Sequence, residues 1–258
     1  MNDLFWLDIG SGRPVVLLHG GFLDHRMWDD QIPAFAAGHR VIVPDARGHG
    51  RSANATAPYR LTDDLAALLR HLDTGPAILV GLSMGGSLAI DTALEHPDLV
   101  SAVVVSGAGT SEPYFTDPWT TRATATWHAA MGAGDLDASI QGFMLFAAGP
   151  HRSLDDVDRQ VANRLRTMAR DTMTKHHAGE PNHLIPVTDT WERLASITVP
   201  VLAVNGALDS PDHLGMAERL TNAVPNGHTT SIDGTAHYPN MEHPETFNKI
   251  VEGFLHTV

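Results

Sequence analysis

The chain contains no cysteine in 258 residues, which excludes disulfide bridges, thiolate nucleophiles and zinc sites built on cysteine. Basic residues are scarce as well. Seventeen lysines and arginines stand against 30 aspartates and glutamates, a formal net charge of −13, so nucleic acid and anionic membrane surfaces are disfavoured as partners. No apolar run approaches the roughly 20 residues of a membrane span. The opening "MNDLFWLDIGSGRP" has two aspartates and no basic segment ahead of an apolar one, so no secretory leader is expected and the reading is a cytoplasmic protein.

What is present is enough apolar residue, 43%, for one sizeable core or a core with an appendage. Short apolar runs recur: "PVVLLHG" (14–20), "RVIVPD" (40–45), "PAILVG" (76–81), "SAVVVSG" (101–107) and "VPVLAVNG" (199–206). None alternates, as expected of strands buried on both faces, and a segment of helical character follows each. The combination predicts a parallel sheet with crossover helices. "LFWLDIG" (4–10) reads as an antiparallel edge and "HTTSIDG" (228–234) as a strand toward the other edge. Thr62 is the expected N-cap of "LTDDLAALLRHLD", and Ser210 that of "SPDHLGMAERLTNAVP", with Pro211 at the first helical position. "HPETFNKIVEGFLHTV" is a helix from Pro244 onward.

The spacing breaks once, from about Gly109 to about Ser196, where no strand-like run occurs. That stretch carries Trp119, Trp127, Met131, Phe143, Met144 and Phe146, then Val157, Val161, Leu165, Met168 and Thr172 on one helical face. It reads as a helical insertion, residues 110–196, in a core formed by residues 1–109 and 197–258.

The run "PAILV" passes directly into "GLSMGG", Gly81 to Gly86. Glycine weakens the interior of a strand or helix, so three of them around one serine point to a local requirement. The pattern G-x-S-x-G is the strand-to-helix elbow that lifts a serine hydroxyl clear of a sheet edge, and Ser83 is expected in strained φ/ψ. Such a hydroxyl needs a base to take its proton and an acid to orient that base. Both are expected beyond the carboxyl ends of later strands, where the loops of an open α/β sheet converge.

Asp209 follows "VLAVNG" and His237 follows "TTSIDG", which makes Ser83 the nucleophile, His237 the proton shuttle and Asp209 the orienting acid. Asp212 and Asp233 are alternatives for the acid. Among the 16 histidines, His228 begins a strand and His243 leads into a helix, so neither fits as well. His19 is expected to order the loop that it begins. His176, His177 and His183 in "KHHAGEPNH" lack tetrahedral spacing, and no metal site is expected. Oxyanion stabilisation requires backbone N–H groups. Met84 supplies one; Gly21 supplies the second, with Phe22 as the alternative and as a pocket wall.

These segments resemble the α/β-hydrolase superfamily over essentially the whole chain. The match is carried by "LLHGGFLDHRMWDDQIPAF" (17–35), "VIVPDARGHGRS" (41–52), "LVGLSMGGSLAI" (79–90), and "VNGALDSP" with "DGTAHYPNMEHPETF". The chain order Ser83, Asp209, His237 is that of the superfamily. The resemblance implies an eight-stranded, mostly parallel sheet flanked by helices, with a helical cap after strand six. It assigns Asp45 and Arg47 to structure.

It further implies a serine hydrolase that cleaves a small carboxylic ester or lactone through an acyl-enzyme, acting on a small-molecule substrate without cofactor or metal. Carbon–carbon bond hydrolysis and cofactor-free perhydrolysis are alternatives, and a ligand receptor on the same fold is a minor one. Phe22, Trp119, Trp127, Phe143 and Phe146 are the expected pocket residues. Glu112 and Asp117 are candidates for binding a substrate amine, and Arg122, Arg164 and Arg166 for binding a carboxylate.

Overall fold

The structure is a computed structural model and describes residues 3–177 and 179–258. Its strands coincide with the apolar runs: β1 (Trp6–Gly10), β2 (Pro14–Leu18), β3 (Arg40–Pro44), β4 (Ala77–Leu82), β5 (Val100–Ser106), β6 (Val201–Gly206) and β7 (Gly227–Ile232). They form one sheet in the order β1-β3-β2-β4-β5-β6-β7. β1 runs antiparallel to β3, and every other pair is parallel. The runs do not alternate because both faces are buried. Val15 and Leu17 belong to one apolar cluster, Val16 and Leu18 to the other.

Among the described residues the sheet has seven strands, not the eight implied by the resemblance. Ahead of β1 the backbone is committed to the loop after β3. The Phe5 carbonyl accepts from Asp45 N–H at 2.9 Å and the Asp3 carbonyl from Ala53 N–H at 2.8 Å. Phe5 N–H donates to Ser52 Oγ at 2.8 Å.

Helices α1 (Ile32–Ala36), α2 (Leu61–His71) and α3 (Met84–Glu95) connect the first five strands. After β5 come α4 (Pro118–Gly132), α5 (Leu136–Ala148) and α6 (Arg159–Met173), and α7 (Thr190–Arg193) leads into β6. The last three are α8 (Pro211–Ala223), α9 (Pro239–Glu242) and α10 (Pro244–Leu255). Among the described residues no helix is long and apolar enough to cross a membrane. α8 is capped by Ser210 Oγ, which accepts from His213 N–H at 3.3 Å. α2 starts earlier than its sequence signal: Arg60 holds the N-cap position and Thr62 lies inside the first turn. The cause is Tyr59, whose N–H and C=O pair with His183 O and Ile185 N–H and hold the chain extended up to Arg60.

Helices α4, α5 and α6 pack on one another in chain order. Their apolar side chains do not form a separate core. Phe143 and Met144 of α5 and Leu165 and Met168 of α6 share one buried cluster with Leu23, Met27 and Trp28. Arg164 pairs with Asp30 at 2.7 Å and Arg152 with Glu242 at 2.7 Å, tying the inserted helices to the core from two sides.

Strand order reverses between β2 and β4, because the chain moves outward from β2 to β3 and then returns to the other side of β2. A crevice opens at the carboxyl ends of the strands flanking such a switch point. The loop after β2 and the turn after β4 therefore face each other, and α3 starts there. Its first turn sits directly on backbone: a Cβ on Gly85 would stand 2.1 Å from the Leu18 carbonyl oxygen, and one on Gly81 would stand 2.1 Å from the Gly85 oxygen. Neither obstacle is the end of a flexible side chain. Gly85→Ala is expected to destabilise the fold by about 3 kcal/mol or more, lowering Tm by roughly 6 °C or more. Ser87→Ala, one turn along the same helix, removes a single hydrogen bond to Thr110 O and is expected to cost about 1 kcal/mol. Thermal denaturation of both variants checks the contrast, and equal Tm values would contradict it.

Candidate active site

Ser83 is the N-cap of α3, with φ 53° and ψ −117°. A non-glycine residue there is strained by about 1–3 kcal/mol. The strain is held from both sides: Ser83 N–H donates to Ser106 O at 2.8 Å, and Ser83 O accepts from Ser87 N–H at 2.9 Å. Its hydroxyl is left free of capping duty, since Ser83 makes no side-chain cap hydrogen bond.

The loop after β2 is fixed by His19. Ala46 N–H donates to His19 Nε2 at 2.9 Å, so the proton sits on Nδ1, which donates to Gly20 O at 2.8 Å. Burial lowers the pKa of His19 and keeps the ring neutral, as this tautomer requires. The N–H groups of Gly21, Phe22 and Met84 have no hydrogen-bond partner among the described residues. Gly21 and Met84 line one cavity with Ser83 and His237; Phe22 is outside that lining.

The loops after β6 and β7 bring Asp209 and His237 together, each 3% exposed. His237 Nδ1 donates to Asp209 Oδ2 at 2.8 Å. The other carboxylate oxygen accepts from Ser210 N–H at 2.7 Å and meets His213 Nδ1 at 3.1 Å. Burial works against ionisation of Asp209, but His237, His213 and these hydrogen bonds overcome it and hold the carboxyl far below its ordinary range. The His237 pKa is lowered, chiefly by burial, with Asp209 offsetting part of the effect. Ser83 and His237 share the cavity without a hydrogen bond between them among the described residues, a looseness common where no substrate is bound.

His213 is the residue that the motif reading misses. It lies on the first turn of α8, four residues after Asp209, and its ring stacks on that of His237 with centroids 4.4 Å apart. The i, i+4 spacing from Asp209 is the signal that could have found it. Its ring and those of Phe146 and Tyr238 wall in His237.

Two cavities meet at Ser83. One, of about 300 Å³, includes Trp127, Phe143, Phe146, Tyr238 and His237. The other, of about 340 Å³, runs along α3 past Ser87 and Leu88 to Asp91. Two expected pocket residues stand behind these walls. Trp119 packs edge-on against Phe146, and Phe22 against Trp127 and Phe143.

The alternative acids and bases have other duties. Asp212 accepts from Thr116 and Asp117 N–H at 2.9 Å each, and Asp233 is exposed. His228 and His243 are outside both cavity linings. Glu112 accepts from Thr190 N–H at 2.7 Å, Asp117 caps α4, and Arg164 pairs with Asp30. Arg122 and Arg166 line neither cavity. Asp45 and Arg47 are structural: Asp45 accepts from His25 and Arg51 N–H, and Arg47 pairs with Asp64 at 2.8 Å. His176 bridges Glu180 and Gly48 O, and His183 O accepts from Tyr59 N–H.

Two trios have atoms close enough to approach one cation, Asp209 with His213 and His237, and Asp24 with His25 and Asp45. Ligands on a tetrahedral ion with bonds of about 2.1 Å stand roughly 3.4 Å apart. Each trio instead contains an N···O contact of 2.8 Å, the length of a hydrogen bond. The arrangement around Asp209 suits proton transfer.

The family model for the alpha/beta hydrolase fold matches residues 13–244. A pimeloyl-(acyl-carrier protein) methyl ester esterase of Edwardsiella ictaluri is 30% identical over 252 residues, covering 96% of this chain and 95% of its own. A 2-hydroxy-6-oxononadienedioate/2-hydroxy-6-oxononatrienedioate hydrolase of Cupriavidus pinatubonensis is 28% identical, with coverage of 96% and 89%. Among solved structures, the enol-lactonase of Burkholderia xenovorans LB400 superposes with a TM-score of 0.80 at 25% identity, covering 98% of this chain and 96% of its own.

A base must be neutral to accept a proton, and the lowered pKa of His237 extends its neutral range toward acid. For any reaction in which Ser83 attacks with His237 as base, the acidic limb of kcat/KM against pH is expected below 6.5, the ordinary imidazole value. A limb above 6.5 would contradict the burial-dominated environment of His237.

Proposed function

The chain belongs to the alpha/beta hydrolase fold family, and we propose that it is a serine hydrolase that cleaves a small carboxylic ester or lactone through an acyl-enzyme. The observation that carries this reading is the meeting, in one cavity, of Ser83 on its strained elbow, the Asp209–His237 pair and the unpartnered amides of Gly21 and Met84. The esterase and lactonase relatives support the same bond type.

The steps follow from the atoms. Ser83 Oγ attacks the carbonyl carbon as His237 Nε2 takes its proton. Asp209 keeps the other proton on Nδ1, so that Nε2 is the free base, and stabilises the imidazolium that forms. The carbonyl oxygen becomes an oxyanion against the Gly21 and Met84 amides, where each preorganised donor contributes about 10²–10³-fold in rate. His237 then passes its proton to the departing alcohol. Water, deprotonated by the same ring, attacks the acyl-enzyme and releases the acid.

Two cavities that share Ser83 in their linings suit the two halves of an ester, and their walls are mostly apolar. Neither lining contains an arginine or lysine. That disfavours substrates with a free carboxylate in either cavity, and with them the dienedioate chemistry of the carbon–carbon hydrolase relative.

With p-nitrophenyl butyrate, Ser83→Ala is expected to lower kcat by at least about 10⁴-fold and Asp209→Asn by about 10⁴-fold, with KM little changed. Steady-state kinetics check both. Turnover in Ser83→Ala equal to the parent would overturn the proposal.

A further inference from the structure

The cavity along α3 ends on a group that the esterase chemistry does not use. Ser83, Ser87 and Asp91 recur at i, i+4 and i+8, and all three line it. They form a polar stripe that leads from the nucleophile two turns down one face of the helix, about 12 Å along its axis. The Asp91 side chain leans back toward the helix N-terminus and so toward Ser83.

Asp91 is only 2% exposed. It takes part in no ion pair among the described residues, and its partner is Ser111, through the N–H at a long 3.4 Å and through the side chain. No arginine or lysine lines the cavity. Burial, resisted by Ser111 and reinforced by Glu112 and Glu95, pushes the Asp91 pKa up to about 6. The carboxyl is thus buried without a counter-charge among the described residues. Such a group is costly unless a cation or a strong donor comes to it.

A second observation points the same way. Thr62, at the start of α2, lines the same cavity and is also 2% exposed. Its hydroxyl is buried without a hydrogen-bond partner among the described residues. Apart from the Ser87 stripe and Thr110 and Ser111, the lining is mostly apolar, with Leu61, Leu88, Ile185 and Val187. The cavity therefore offers a mostly apolar passage with an acceptor at its far end.

We propose that the Asp91 cavity is a specificity site for an ester whose acyl or alcohol half is an alkyl chain ending in a protonated amine, the ammonium being received by Asp91 with Thr62 beside it. This rests on the serine esterase reading for the reaction at Ser83 but assigns to the enzyme a substrate class with a cationic tail. It also excludes a carboxylate tail from the same cavity, since Asp91 would repel it.

The test pairs each amino ester with an apolar isostere. Methyl 6-aminohexanoate is compared with methyl heptanoate, and 6-aminohexyl acetate with heptyl acetate, in the parent and in Asp91→Asn and Thr62→Val. At least one amino ester is expected to exceed its isostere in kcat/KM by about 10-fold or more. Asp91→Asn should bring that ratio to about one, and Thr62→Val should reduce it in part. Hydrolysis of the isosteres without any preference for the amino esters would overturn the Asp91 proposal and leave the esterase reading standing. Absence of all ester turnover would overturn the esterase reading instead. The Asp91 site is then decided by calorimetry: hexylammonium should bind the parent about 10-fold or more tighter than 1-hexanol, and Asp91→Asn should abolish the difference. Equal binding of the two probes, or a difference unaffected by Asp91→Asn, would refute it.

Discussion

The first turn of α3 rests on the backbone of β2 and β4 with no space for a Cβ at Gly81 or Gly85, and the site depends on that contact. Because the helix cannot stand off from the sheet, the chain must turn within one residue, and that residue is Ser83 at φ 53°. The same turn leaves the Met84 amide without an intrahelical partner, at the positive end of a helix dipole. It also fixes the direction of the helix, so that Ser87 and Asp91 extend the line begun by Ser83 into the second cavity. The Ser83 elbow, the unpartnered Met84 amide and one wall of the second cavity come from one packing constraint.

The second constraint is electrostatic. Asp209 is buried where a carboxylate is costly, and each of its oxygens is committed: one to His237, the other to Ser210 N–H and His213. These partners come from the loop after β6, the first turn of α8 and the loop after β7. Ser210 and His213 are local to the acid, whereas His237 reaches it only through the pairing of β6 with β7. Asp91, by contrast, is buried with Ser111 alone. Of these two buried carboxylates, one is satisfied from within the protein, and the other lines a cavity where we propose that it receives a ligand.

Strands, sheet class and the elbow were legible because they rest on local signals. Runs that are apolar on both faces read as central strands, and the glycines around Ser83 mark a close approach. Asp209 and His237 could be paired for the same reason, since each follows a strand end, and the structure puts them 2.8 Å apart. What escaped depends on contacts distant in sequence. The backbone of Asp3 and Phe5 is taken up by residues 45–53, and main-chain hydrogen bonds leave no trace in side-chain identity. Thr62 reads as an N-cap until the Tyr59 pairing with residues 183–185 displaces the start of α2. Trp119 and Trp127 share one helix, yet only Trp127 reaches the cavity, because α4 is too weakly amphipathic for its pattern to say which face turns inward. His213 and Asp91 were detectable in principle, each at helical spacing from a named site residue, but such spacing gains meaning only once the helix direction is known.

The central claim is that Ser83 becomes covalently acylated with His237 as its base. The direct measurement is intact-protein mass spectrometry of enzyme quenched early in its reaction with p-nitrophenyl butyrate, with peptide mapping of any adduct. The account predicts one butyryl group per chain, on Ser83, none in Ser83→Ala, and a slower-forming adduct when His237 is replaced by alanine. Ester turnover with no adduct on Ser83, or with an adduct on another residue, would contradict it.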